Sequence, residues 1–85
     1  MSPSLAPSLR HLEPDELTIR RVRRGRGFSY HTGGGKRIDD AARIERFRAL
    51  AIPPAWSDVR ISALPDSHLQ AVGKDARGRT QYRYH

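Results

Sequence analysis

Between residues 41 and 51 the apolar positions Ala41, Ile44, Phe47 and Ala51 recur at three- to four-residue intervals, with Leu50 beside them. That spacing puts them on one stripe of an α-helix. The helix is expected to start at Asp39 or Asp40, whose short carboxylate can accept from the unpaired N–H groups of a first turn, and to run to about Ala51. Ile52-Pro53-Pro54 stops it, because proline lacks the N–H needed to continue and disfavours helical geometry one residue earlier. Ile44 and Phe47 read as core. Arg43, Glu45 and Arg46 lie outside the stripe, whereas Arg48 falls within its arc and has to snorkel or sit at the edge. Trp56 reads as an anchor for the helix end, with base stacking as its alternative.

Elsewhere the period drops to two. Phe28 and Tyr30 alternate with Ser29 and His31, which predicts a strand over residues 26–31, preceded by a shorter strand or extended arm at 19–23. Residues 58–64 read as a strand with Val59 and Ile61 inward and Arg60 outward, and residues 65–67 as a turn. Residues 69–74 and 79–84 then read as a β-hairpin around Asp75-Ala76-Arg77-Gly78. Asp at the first turn position can bond its own backbone two residues on, and Gly at the fourth tolerates a left-handed conformation. Alternation places Thr80, Tyr82 and Tyr84 on one face of the second strand and Arg79, Gln81, Arg83 and His85 on the other. Both faces carry polar tips. Such a ribbon suits phosphates and base edges in a major groove; a solvated edge hairpin with half-buried tyrosines fits the pattern equally.

Residues 32–36 form a glycine-rich loop. It is not a phosphate-binding loop of the nucleotide type, which needs glycine where Tyr30 stands and Ser or Thr where Arg37 stands. Residues 1–14, interrupted by Pro3, Pro7 and Pro14, are expected to be a disordered lead-in, and residues 15–17 a single turn. The sum is α+β: a small antiparallel sheet of about four to five strands with one main helix packed on it. Residues 15–85 make one domain without internal repeats.

Charge changes this picture most. Lys plus Arg number 16 against 9 Asp plus Glu, a net +7, and because only Lys36 and Lys74 are lysine, fourteen of the cations are arginine. Arginine offers a planar fork of donors that grips phosphate or guanine at two points. Arg20, Arg21, Arg23, Arg24 and Arg26 crowd into one short run and repel one another unless an anion joins them. The run reads as a phosphate-gripping rim, or else as a charged edge that discourages strand-to-strand aggregation. A polyanion is the expected partner, nucleic acid ahead of a membrane surface because no basic amphipathic helix stands out; a merely soluble basic protein is the alternative. No cysteine is present, which excludes disulfides and thiolate zinc sites and fits a reducing compartment. With no apolar run near 18 residues and no signal-peptide order at the N-terminus, a cytoplasmic protein without membrane attachment is expected.

Candidate chemistry is sparse. His11, His31, His68 and His85 are scattered without metal-ligand spacing, so no metal or cofactor is expected. Asp39-Asp40 is explained as a helix start, and no nucleophile motif such as G-x-S-x-G occurs. Tyrosine, arginine, lysine and histidine are the parts for phosphoryl transfer to a tyrosine, yet their spacing does not assemble them. No catalytic residue is expected in this chain. A basic single-stranded RNA-binding module, with tyrosines stacking on bases, is the rival to a duplex binder. A protein-docking domain with Phe28 or Trp56 as exposed anchors is a third reading.

Three segments together resemble one family. They are Arg24-Gly-Arg-Gly-Phe-Ser-Tyr30, Leu50-Ala-Ile-Pro-Pro-Ala-Trp56, and the stretch from His68-Leu-Gln-Ala71 through Gly73-Lys-Asp-Ala-Arg-Gly-Arg-Thr-Gln-Tyr-Arg-Tyr-His85. In order and spacing they are similar to the N-terminal domain of the bacterial, poxvirus-like type IB DNA topoisomerases, over about residues 17–85. The resemblance implies half of a clamp around duplex DNA. The chemistry would lie in a larger C-terminal catalytic domain that cuts one strand through a tyrosine, without ATP or metal, to relax supercoils. Gln81, Tyr82 and Tyr84 are the residues it places at the DNA, and Tyr82 and Tyr84 are not the nucleophile. Arg79, Arg83, Lys74, Arg77 and the run Arg20, Arg21, Arg23, Arg24 and Arg26 are expected to hold phosphates, forming one continuous basic surface with the hairpin. Because the chain ends at His85 within a strand, an origin in a longer protein is expected. So are a monomeric state and a bacterial, nucleoid-associated setting.

Overall fold

Strands β1 (Ile19–Arg24) and β2 (Gly27–His31) form an antiparallel hairpin. Its turn requires a left-handed residue, and Gly25 at φ 56° supplies it without the backbone strain that a side chain adds at that φ. The computed structural model describes residues 10–85. After the glycine loop, helix α1 (Ala41–Ala49) starts at Asp40, whose carboxylate accepts from the Ala42 N–H at 3.1 Å. Strands β3 (Ser57–Ile61), β4 (Leu69–Lys74) and β5 (Thr80–Tyr84) complete an antiparallel five-stranded sheet in the order β2-β1-β3-β4-β5. This is the expected α+β architecture, one helix on one small sheet.

The helix is shorter than its apolar period predicts. Leu50 caps it, donating its N–H to Phe47 O at 3.2 Å, and Ala51 turns left-handed at φ 51° ahead of the two prolines. Ala41 and Ala51 are exposed, so Ile44, Phe47 and Leu50 make the contact with the sheet. Phe47 is 1 % exposed and its ring lies 4.9 Å from that of Tyr30. Burying a side chain of this size stabilises the fold by roughly 1.5–3 kcal/mol. Beneath the helix Ile19, Ile61 and Ala71 lie side by side across β1, β3 and β4. Trp56 packs half-buried against the core, the core anchor expected of it, and its ring contacts are with the sheet. Its indole lies over Gly73, where an added Cβ would come within 3.0 Å of both Trp56 Cε3 and Val59 Cγ2.

Arg46, outside the apolar stripe, turns inward, donating to Gln70 Oε1 at 2.7 Å and to the Ser62 carbonyl, with its guanidinium 5.0 Å from the Phe47 ring centroid. Ser62 and Gln70 are buried polar residues that need partners, and the long arginine stem brings donors to them across an apolar ring. Burial holds its pKa below the ordinary value, and neighbouring Arg43 adds to the effect.

The sheet face without the helix has its own cover. Arg10 bridges to the turn before β4, donating its N–H to Asp66 O at 3.0 Å and accepting from the His68 N–H at 2.6 Å. A 3-10 turn follows at Pro14–Glu16, where a single turn was expected at 15–17. Leu17 then packs with Leu69 and Val72 in a second apolar cluster, with Leu12 against it. Of the lead-in expected to be disordered, residues 1–9 lie outside the described residues, while Arg10 and Leu12 make these contacts.

Candidate nucleic-acid interface

The β4–β5 hairpin is built by its turn. Asp75 Oδ1 accepts from the N–H groups of Arg77 at 2.9 Å and Arg79 at 3.0 Å, the Gly78 N–H donates to Asp75 O at 2.9 Å, and Gly78 takes φ 78°. The other carboxylate oxygen accepts from Gln81 Nε2 and Arg79 Nε, both at 2.9 Å. With the Gln81 bond as the largest cause and those from the Arg79 and Arg77 backbone helping, Asp75 is lowered from 3.8 to about 2. The amide of Gln81 and the guanidinium of Arg79 are thus oriented from within the turn.

Alternation along β5 places its residues as expected. Thr80, Tyr82 and Tyr84 are exposed on the helix-free face, whereas Gln81 and Arg83 are half-buried on the helix side. Tyr82 is 44 % and Tyr84 57 % exposed, and their rings stack at 6.2 Å between centroids. His68 lies 5.0 Å from Tyr84 and His11 6.3 Å from His68, which extends the aromatic row toward the N-terminal segment. Lys74 and Arg77 are exposed at the hairpin tip. Arg83 is occupied, donating from Nη2 to Ala51 O at 3.0 Å with its guanidinium 5.9 Å from the Trp56 ring.

The arginine run of β1 splits by strand parity. Arg21 points to the helix side and clamps the proline loop, donating to Ile52 O at 3.1 Å, Pro53 O at 3.0 Å and Trp56 O at 3.1 Å. It lies 4.0 Å over the Phe28 ring, and burial lowers its pKa. Arg23, on the same side, donates to Pro54 O at 2.8 Å. Arg20 and Arg24 point to the helix-free face, where Arg24 bonds Ser29 Oγ at 3.2 Å, and Arg26 is exposed in the β1–β2 turn. Phe28 and Trp56 are both half-buried against the core rather than exposed anchors.

One continuous basic surface is not what these parts make. The two hairpins occupy opposite edges of the sheet, with β1 and β5 three strand spacings apart, about 14 Å. Arg20, Arg60, Val72 and Tyr82 do form a single cross-strand row on the helix-free face. The acidic segment carrying Glu13, Asp15 and Glu16 crosses that row at Val72 and leaves tyrosines on one side and arginines on the other. Sequence reasoning could not foresee this, because the prolines of the segment signal a break and not a docked strap. Arg60 was read only as outward-facing, and its place opposite Arg20 depends on the β1–β3 pairing. Among the described residues no group of three or more histidine, aspartate or glutamate side chains could hold a metal, and no helix is long and apolar enough to cross a membrane.

Comparison with known proteins adds the family. The model of the bacterial DNA topoisomerase IB N-terminal domain matches residues 27–75. A DNA topoisomerase 1B from Acanthamoeba polyphaga mimivirus is 41 % identical over 66 residues, covering 78 % of this chain and 20 % of that protein. The chain therefore spans about a fifth of the length of that curated relative. No solved structure matches.

Proposed function

This chain belongs to the family of bacterial DNA topoisomerase IB N-terminal domains, and on that premise we propose that it is a duplex-DNA-binding half-clamp. Its partner is the C-terminal catalytic domain of a type IB enzyme. There the transient single-strand cleavage that relaxes supercoils takes place, without a cofactor in this domain. The observation that carries the reading is the exposed, stacked pair Tyr82 and Tyr84 on an edge strand, flanked at the hairpin tip by Lys74 and Arg77.

In this reading contacts divide into positioning and readout. Lys74, Arg77, Arg79, Arg20, Arg24 and Arg26 hold phosphates. The tyrosine hydroxyls, which have no hydrogen-bond partner among the described residues, meet base edges or phosphates in the major groove. Gln81, its amide nitrogen held by Asp75, retains its carbonyl oxygen as an acceptor for an exocyclic amine. Arg21, Arg23 and Arg83 support the domain through backbone carbonyls and add to its field rather than gripping phosphate. With about six phosphates neutralised, log affinity falls with log salt at a slope near −5, and the domain alone binds duplex at roughly 10⁻⁴ to 10⁻⁶ M.

The test is a titration of Tyr82→Phe/Tyr84→Phe against a short duplex. Loss of two hydrogen bonds, about 1–3 kcal/mol together, weakens binding between about 5- and 150-fold without changing the melting temperature. Unchanged affinity refutes the groove-facing assignment. Preference of the parent domain for single-stranded RNA over duplex DNA hands the tyrosine pair to base stacking instead.

A further inference from the structure

Arg60 of β3 stands directly opposite Arg20 of β1 in the antiparallel register. Like charges at directly paired positions repel, and neither guanidinium has a carboxylate in ion-pair contact among the described residues. The other arginines of β1 are engaged: Arg21 and Arg23 with loop carbonyls, Arg24 with Ser29. Arg60 is half-buried, so part of its side chain is out of water. Beside the pair opens a cleft of about 180 Å³, lined by Asp15, Leu17, Thr18, Arg20, Gly33 and Arg60. That is large enough for one phosphate group. The cleft is basic on balance, two guanidinium groups against the Asp15 carboxylate.

We propose that Arg20 and Arg60 form a two-armed site for a single phosphodiester of the DNA backbone, on the opposite side of the acidic segment from Tyr82 and Tyr84. The inference rests on the duplex-binding reading and adds a second point of contact to it. Two forks converging on one phosphate turn a repulsive pair into a bridged one. Asp15 opposes the anion from across the cleft and sets how tightly it is held. A phosphate bridging β1 and β3 and a base edge bound at Tyr82 of β5 lie on one cross-strand row, two to three strand spacings or about 10–14 Å apart. The duplex therefore meets the sheet across its strands and not only along the β5 edge.

Two measurements on the whole 85-residue chain test this. In the first, a short duplex is titrated at several salt concentrations with the parent protein, Arg20→Gln, Arg60→Gln and Asp15→Asn. Each arginine variant makes the salt slope shallower by about 0.9 and weakens binding, whereas Asp15→Asn strengthens it. In the second, inorganic phosphate is titrated while the side-chain Nε–H resonances of arginine are followed; those of Arg20 and Arg60 shift and that of Arg21, held by three loop carbonyls, does not. If the parent binds duplex and both arginine variants keep its slope, the site is overturned while the half-clamp reading stands. If the parent binds no duplex, the half-clamp reading falls, and with it the backbone assignment of the site. Phosphate shifts without any change in duplex affinity make it a site for free phosphate and also overturn the backbone assignment. Should Arg60→Gln fail to fold, the exposed Arg20→Gln together with the phosphate titration decides the matter.

Discussion

Arg20 and Arg21 are neighbours in sequence and opposites in role, and replacing each by methionine separates the two. Arg21→Met keeps most of the stem that lies over Phe28 and removes every donor to Ile52 O, Pro53 O and Trp56 O. A hydrogen bond from a charged donor contributes about 1.5–3 kcal/mol. Three bonds from one half-buried group do not add in full, since water reaches part of the loop once the guanidinium is gone, so the expected loss is about 2–4 kcal/mol. For a domain of this size that lowers the melting temperature by at least about 8 °C, yet leaves it folded against a typical stability of about 5–15 kcal/mol. Trp56 emission during urea unfolding reads the change directly, because the Trp56 carbonyl is one of the acceptors. The salt slope of duplex binding stays that of the parent. Arg20→Met does the reverse, with stability within about 0.5 kcal/mol and a slope shallower by about 0.9. Arg21→Met that is as stable as the parent, or that flattens the slope while remaining stable, refutes the assignment of Arg21 to the fold.

Other substitutions probe the rest of the frame. Gly73→Ala drives a Cβ to within 3.0 Å of Trp56 and Val59, and such overpacking costs about 1–3 kcal/mol; a shifted Trp56 emission maximum accompanies the loss in urea unfolding. Leu17→Ala, which empties a 2 %-exposed site in the second apolar cluster, costs about 2–4 kcal/mol and detaches the N-terminal segment, seen as faster hydrogen exchange at the Arg10 and His68 amides. Asp75 is lowered from 3.8 to about 2 in the folded hairpin, so its contribution is complete above about 3.8 and disappears as pH falls through about 2. The amide shifts of Arg77, Gly78 and Arg79 therefore titrate with an apparent pKa near 2, and Asp75→Asn abolishes that titration.

What could be read from the sequence was local. Asp40 as a cap, the two prolines as a stop and Asp75 with Gly78 as a turn each act within a few residues, and each stands in the structure in that role. Phe47 followed from a stripe of helical period. The rest was not local. Periodicity places Arg46 outside the apolar stripe and says nothing of its partners, whereas its stem spans the ring of Phe47 to reach the Ser62 carbonyl. A run of arginines carries no apolar alternation to say which members face the core, so the division of Arg20 from Arg21 waited on Ile19 and Tyr30 being buried beside them. The insertion of β1 beside β3, and with it the Arg20–Arg60 pair, depends on contacts some forty residues apart in the chain.

Net charge and contact charge are consequently different quantities in this domain. All 16 cations contribute to the +7 field that draws a polyanion in from solution. Arg21, Arg23, Arg46 and Arg83 donate to carbonyl groups of the fold, which leaves their charge in place while occupying N–H groups that a two-point phosphate contact needs. Removing one of these four lowers the net charge and with it the association rate, while dissociation stays that of the parent. Removing Arg20 or Arg60 also takes away a contact, which appears in the dissociation rate. Stopped-flow kinetics on the two classes separates long-range attraction from grip. Equal effects of Arg23→Gln and Arg20→Gln on dissociation refute the division by strand parity.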